Sequence, residues 1–356
     1  MVLAVFCCAA FCGRTTSIAM RFLILALITI SVMGAGGCRE LGGDKLYAIH
    51  LDGPPEDSTW ERALPRLISV RGGDLHRLKK LADVDSDTVH TTTASCHHGS
   101  TLPDPVEVDL RAFYTDHSLF LRLSWRDATR DDSFMRWLFN GVAWANQGGL
   151  EDGFGIMFDA QGKFPRFSCS YACHIEDFGV SGANFHAQNK MRLARNGAWT
   201  DLWHWKAERT GRYGFADDRF VDQEGMHGDE PGELFKPNSR FAVTNQEPFR
   251  EGDEPLYDLQ GEPLKGRFVA PGSPAPGYMT DVPQGGRGDV VCRSEHINGH
   301  WVVTLQRKLR TGDPHDVVFV PGDEAGVSFG LAVMDHTLNQ HYASRTNERL
   351  ILLADQ

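Results

Sequence analysis

Apolar and polar residues alternate in short stretches toward both ends of this chain, and a two-residue period predicts strands with one buried face. Tyr47, Ile49 and Leu51 alternate first. Val106, Val108 and Leu110 follow, then a turn at Thr115-Asp116-His117-Ser118, then Leu119, Leu121, Leu123 and Trp125; the stretch 106–125 reads as a β-hairpin. Phe154, Ile156 and Phe158 predict a further strand. Trp301, Val303 and Leu305 alternate after an Asn298-Gly299 turn, and Val327, Phe329, Leu331 and Val333 after Gly322-Asp323. A short helix is expected around Trp60, in DGPPEDSTWERALPRL. No series of βα units, internal repeat or coiled coil is visible. The expected fold is all-β dominated, a β-sandwich of jelly-roll type with long loop and short-helix insertions.

The middle differs. Residues 160–290 are dense in Gly, Pro, Asp and aromatic residues, with poor periodicity, and read as a loop-rich insertion. Within it, 246–288 carries EPFREGDEPLYDLQGEP and APGSPAPG. Loops of this length are functional or wrapped around something.

The N-terminus reads as a targeting segment. Arg21 precedes the apolar run FLILALITISVM (22–33) and then Gly34-Ala35-Gly36-Gly37-Cys38, the order of a secretory signal. The apolar run is short for a transmembrane helix. Small residues before a cysteine resemble a bacterial lipoprotein cleavage site, with Cys38 as the lipidated residue; ordinary signal cleavage nearby is the alternative. Met20 is the natural start of such a segment, which sets residues 1–19 apart, with Cys7, Cys8 and Cys12. The expected organisation is a signal peptide over 1–37, a lipidated tether over 38–45 and one domain over 46–356.

Charge and cysteines narrow the function. The chain has 356 residues, 36 basic and 47 acidic, and the acidic balance argues against nucleic-acid binding. Residues 1–37 hold two basic groups, Arg14 and Arg21, and no acid, so the mature chain has a net charge of −13. That suits docking on a basic partner surface outside the cytoplasm.

The densest chemistry lies in FSCSYACHIED, where Cys169 and Cys173 precede His174. Two thiols can add to the two vinyl groups of a porphyrin, and the adjacent imidazole then reaches the iron. The spacing is C-x-x-x-C-H, one residue longer than the usual form. The competing readings are a local disulfide beside a chance histidine and a zinc site, though no second cysteine pair with ligand spacing appears. If lipid takes Cys38 and haem takes Cys169 and Cys173, Cys96 and Cys292 remain as the expected disulfide. His97 and His98 beside Cys96 read as part of a surface loop, with a metal or distal-haem role as the alternative.

Several motifs share a family resemblance. EDGFGIMF (151–158), SCSYACH (168–174), DLWHWKAERTG (201–211), ADD (216–218), WVVTLQRKLRTGD (301–313), DVVFVPG (316–322) and VSFGLAVMD (327–335) occur in that order. They resemble the haem-binding domain related to the γ subunit of ethylbenzene dehydrogenase and dimethylsulfide dehydrogenase. The opening LDGPPEDSTWERA is similar to the start of that domain and of family-9 carbohydrate-binding modules. The resemblance covers roughly residues 46–352. It implies a β-sandwich that holds one haem and passes electrons. In the dehydrogenase subunits the haem is b-type, with methionine and lysine on the iron. The CxxxCH run departs from that pattern and favours covalent c-type haem with His174 as proximal ligand.

The sixth ligand is open among His341, Met334, Lys206, Met191 and His186. By parity Met334 points away from the face of residues 327, 329, 331 and 333. His341 is expected in the following loop, able to fold back over the haem. Trp203, His204, Trp205 and Lys206 read as core and haem-edge packing, and Arg192, Arg195, Lys206 or Arg209 could pair with the propionates.

The expected function is electron transfer. The protein is read as exported, lipid-anchored on the periplasmic side of a bacterial membrane or soluble in the periplasm, and non-catalytic. Its expected partners are a membrane quinol-oxidising cytochrome and a periplasmic oxidoreductase, the latter of the molybdenum class by family analogy. An open sixth site would instead make it an enzyme or gas sensor. The alternative of a different class is a carbohydrate- or ligand-binding module, which exposed tryptophans would suit.

Overall fold

The computed structural model describes residues 43–71, 102–103, 105–164, 166–169, 193, 197–241, 249–336, 338 and 341–354. Asp44–Gln356 forms one compact unit. The strands are β1 (Lys45–His50), β2 (Arg66–Arg71), β3 (Val106–Tyr114), β4 (Ser118–Arg126), β5 (Trp137–Phe139), β6 (Trp144–Asn146), β7 (Gly153–Phe158), β8 (Thr200–Lys206) and β9 (Phe215–Val221). They continue as β10 (Met226–Gly228), β11 (Phe235–Pro237), β12 (Pro274–Ala275), β13 (Tyr278–Thr280), β14 (Val290–Ile297), β15 (His300–Lys308), β16 (Val327–Met334), β17 (His341–Ser344) and β18 (Glu348–Leu352). The residues around Trp60 form a 3₁₀ turn, Asp57–Arg62.

The expectation of a strand-dominated fold holds, but the sheet is not a plain sandwich. One 13-stranded sheet closes on itself because β16 pairs with β7 along Phe329–Met334. The ring runs β1-β3-β4-β15-β14-β9-β8-β7-β16-β18 and back to β1, a barrel of ten strands. The other edge of β16 is divided, its first half pairing β18 and its second half β17. β3 is divided in the same way between β2 and β1. Between β3 and β16 the wall therefore splits into two short ladders. Arg66 of β2 bridges them with two bonds to the buried carboxylate of Glu348 on β18, 2.6 and 2.7 Å. Where the β16 ladder lacks a backbone acceptor, the Leu331 N–H donates to Ser344 Oγ instead. Period-2 patterning is shared by sandwiches and barrels; only the pairing of distant edges separates them.

Alternating residues fill the barrel. Val108, Leu110, Leu121, Leu123, Trp125, Phe154, Ile156, Phe158, Trp203, Trp205, Trp301, Val303, Leu305, Phe329, Leu331 and Val333 lie in one buried cluster. The hairpin predicted over 106–125 is β3–β4, with the turn closed by the Thr115 N–H on Ser118 O. The β14–β15 turn has Asn298 and Gly299 both at positive φ, 52° and 72°, the geometry that suits a tight hairpin. Toward one end of the barrel, Arg307 continues the inward face of β15. Its guanidinium donates to Asp201 at 2.6 Å and stacks over Trp203 and Phe319.

Three expectations change. The stretch 160–290 is not simply an insertion, since β8 and β9 are barrel strands. Every residue of β8 is buried, so no alternation of buried and exposed positions marks it. The described part of the loop stretch 246–288, residues 249–288, is held by hydrogen bonds of its own. The buried Asn238 side chain accepts from the Leu256 and Tyr257 N–H groups and donates to Tyr257 O and Pro276 O. The eight tryptophans are not exposed: six are buried, and Trp144 and Trp199 are half-buried. Phe158→Ala removes a ring packed on Trp203, Phe319 and Phe329. It is expected to cost about 3–5 kcal/mol in equilibrium chemical unfolding; a loss under about 1 kcal/mol would mean the core is not packed this way.

Candidate functional site

The wall made by β16, β7 and β8 is buried on both faces. Inside it carries Phe, Leu, Val and Trp; outside, β7 and β16 are bare at several positions. Gly153 and Gly155 of β7 and Gly330 and Ala332 of β16 hold the outward positions. A covering segment lies there. Phe164, Phe167, Leu193 and Ala198 pack on Met157, Leu202 and Val221. The Phe167 N–H is anchored on Asn347 Oδ1, 2.8 Å.

Cys169 ends this described segment directly over Gly330. A β-carbon at position 330 would fall 2.2 Å from the Cys169 nitrogen, so only glycine admits the approach. Cys169 then packs into one small cluster with Ala332, Met334, Leu338 and Ala343. Met334 lies flat across β7, its Sδ 3.3 Å from where a Gly153 β-carbon would stand and its Cε 3.8 Å from that of Gly155. The parity expected for Met334 is therefore the one found. His341, expected in a loop, opens β17 and stands opposite Met334 in register.

His204 is the residue that sequence reasoning placed only as packing. It sits opposite Gly155 in the β7–β8 ladder, on the outward side, between the inward-facing Trp203 and Trp205. It is buried, and among the described residues neither ring nitrogen has a hydrogen-bond partner. A buried polar atom left without a partner costs about 1–3 kcal/mol. Burial, then the charges of Lys206 and Arg219, hold its pKa well below the ordinary histidine range. The ring is thus neutral, with a lone pair available for a metal. The signal in sequence was the alternation in DLWHWK, which sets 202, 204 and 206 on the face opposite the tryptophans.

Two other expected residues are engaged elsewhere. Lys206 donates to Asp217 at 2.9 Å and lies over the Phe235 ring. Burial lowers its pKa to about 8 despite that partner. Burial alone would raise Asp217, but Lys206, Arg287 and Arg219 outweigh it and hold the carboxylate below its usual range. Arg209 is bonded to Glu151 and stacked on Phe134. Cys292 lies buried on β14 and has no disulfide partner among the described residues; burial pushes its thiol up. Its expected partner Cys96 lies outside the described residues, as do His97, His98, Cys38, Cys173, His174, His186, Met191, Arg192 and Arg195.

The donor set on the outer face fits a haem. A thioether, a neutral imidazole and a thiol share one strand-lined surface; the first two are groups that can ligate haem iron, and a thiol can tether the porphyrin. A second group, Asp131, Asp152, Asp335 and His336, is a clamp at the end of β16: Asp152 accepts from the Asp131 and His336 N–H groups and the Trp301 indole.

Among solved structures, similar chains include a family 9 carbohydrate binding module from Caldicellulosiruptor kristjanssonii in complex with cellotriose. It has 8% identity and a TM-score of 0.32, over 88% of this chain and 95% of that one. A putative carbohydrate-binding protein from Bacteroides uniformis has 8% identity and a TM-score of 0.32, over 85% and 88%. No curated protein matches the chain. The covering segment, the bare strands and the DLWHWK run all lie within residues 58–344, which match the ethylbenzene dehydrogenase family; the chain belongs to that family.

Proposed function

We propose that this protein is a non-catalytic, haem-carrying electron-transfer subunit or partner of a molybdenum-containing oxidoreductase. The observation that carries the reading is the convergence of Cys169, Met334 and His204 on the outer face of β16, β7 and β8, where glycines leave the strands bare. Family membership supports the association with an oxidoreductase complex. No tryptophan stands fully exposed as a platform for a sugar ring.

The residues that would hold the group are named by their chemistry. Cys169 and Cys173 would each add their S–H across a vinyl group, forming one C–S bond and passing the hydrogen to the other vinyl carbon. His174 would bind iron from one side. Met334 and His204 are the further side chains that could hold the iron. Bound haem supplies one-electron redox chemistry, and methionine ligation raises the potential relative to a second histidine. The chain's own part is to bury and orient. Gly153, Gly155 and Gly330 allow close approach, the segment with Phe164 and Phe167 excludes water, and the charge pair Lys206–Asp217 stands next along β8.

The acidic surface suits a basic redox partner. In this reading residues 1–37 direct export, Cys38 carries lipid at the periplasmic face, and Cys96 and Cys292 close in the oxidising compartment.

Protein made in a host with c-type maturation should keep its haem through acid–acetone extraction. Cys169→Ser with Cys173→Ser should release it as extractable haem with the β-rich fold intact by circular dichroism. Absence of haem from both would end the proposal. Met334→Ala and His204→Ala should separate in the reduced and oxidised spectra. The variant lacking the sixth ligand should gain a carbon monoxide-binding site; unchanged spectra in both would remove this pair as ligands.

A further inference from the structure

Val142 and Phe268 are the most exposed large apolar side chains among the described residues, at 91% and 92%. One exposed hydrophobe means little, but these two stand on adjoining loops. Val142 lies in the turn between β5 and β6, and Phe268 in the stretch that leads to β12, which pairs with β5. Beside that ladder the Gly272 N–H donates to Phe139 O, and the Phe139 N–H to Ser273 O. Pro271 closes on the turn itself, its Cγ 3.2 Å from where a Gly141 β-carbon would stand. Both loops are held by bonds of their own. Asn140 Oδ1 accepts from the Val142 and Ala143 N–H groups, and Arg267 donates to Asp258. The apolar tips are thus presented on formed turns, so little ordering is lost on contact. Lys265 and Arg267 are exposed beside Phe268.

Strand directions place these loops at one end of the barrel. β1 runs parallel to β3, and β3 begins where β4 ends. β1 also runs parallel to β18. β18 and β7 both run antiparallel to β16, so both begin toward its end. The start of β1, the end of β4 and the start of β7 therefore share one end. Residues 127–152, which carry the β5–β6 hairpin, leave and re-enter the barrel there. The chain enters β1 at the same end, at Lys45. As a tether from a lipidated Cys38, residues 38–45 reach at most about 25 Å when fully extended. The opposite end of the barrel lies a strand length further, up to about 30 Å for the nine residues of β3. So short a tether keeps the end with the hairpin near the bilayer.

We propose that Val142 and Phe268 insert into the interface of a lipid bilayer, so that the end of the barrel bearing the β5–β6 hairpin faces the membrane. The orientation rests on the proposed lipid at Cys38; the insertion of the two side chains does not. An apolar contact is the fitting kind. With a net charge of −13 the mature chain has no long-range attraction to anionic lipid. Apolar tips with bases beside them match an interfacial anchor: the apolar groups enter the headgroup boundary while the long basic chains stay in the wet layer. Two side chains alone give weak, reversible binding. A tether raises their local concentration at the surface and makes the contact persist.

The test uses the full mature chain and vesicles of zwitterionic phosphatidylcholine with brominated acyl chains. In the lipidated chain, Phe268→Trp should add a fluorescence component quenched by bromine that the wild type lacks. The Cys38→Ser chain, which cannot be lipidated, reads insertion apart from anchoring. At high lipid concentration it should still float with the vesicles. Val142→Asp or Phe268→Asp in that background should weaken its partitioning by about tenfold or more, as expected when a large apolar side chain is replaced by a charge. Both variants should keep the β-rich circular dichroism spectrum, because neither side chain is packed in the core. Mass spectrometry of the wild-type chain reports acylation at Cys38; its absence would end the anchor and the orientation, while flotation of Cys38→Ser would still decide insertion. Failure of the Cys38→Ser chain to float, no bromine-sensitive component in Phe268→Trp, or flotation unchanged in both Asp variants would each overturn the proposal. So would a dimer in sedimentation velocity that Phe268→Asp dissociates, since the patch would then belong to a second copy.

Discussion

The pairing of β16 with β7 is the constraint on which the rest depends. A strand has two hydrogen-bonding edges, and β16 uses both: one for β7, the other shared by β18 and β17. Closure removes the free edges of β7 and places aromatic residues of β7, β8 and β16 in one interior. It also fixes what lies outside. The outward face of these strands is covered by a segment whose described part runs to Cys169, and most of the covered positions are apolar or bare, with His204 and Lys206 the polar exceptions. Met157 and Leu202 are apolar; Gly153, Gly155 and Gly330 are bare.

Charge on β9 follows the same logic of parity. Asp217 points outward and finds Lys206, Arg219 and Arg287. Asp218, one residue on, points inward to Arg307 and to other acids. One carboxylate is held ionised by three cations. Burial and then the neighbouring Asp201 push the other well above its usual range. Arg307 answers part of that charge and also stacks on Trp203 and Phe319, so removing it would leave buried acids and an aromatic gap together.

Strands were legible where one face is buried and the other wet. β3, β4 and β15 alternate cleanly for that reason. β8 and β9 were not, because the covering segment buries the outside of β8 and acids occupy the inside of β9. His204 was read as packing because a histidine between tryptophans looks like a satisfied core residue; its lack of partners is a three-dimensional fact. Met334 was legible, since its parity follows from the strand alone. Order in the 249–288 loop came from Asn238, a single amide satisfied four times, which no composition statistic announces.

By itself the sequence determined the all-β character, the inward residues of the regular strands, the acidic balance and the spacing of Cys169, Cys173 and His174. These are local properties, set by side-chain period, charge and spacing. The tertiary structure alone decided that the sheet closes into a barrel. It also decided that Cys169, Met334 and His204 share one face and that Asp201, Asp218 and Asp316, distant in sequence, meet at Arg307. Those outcomes depend on which remote edges pair, and edge choice is settled by the packing of the whole chain rather than by any window along it.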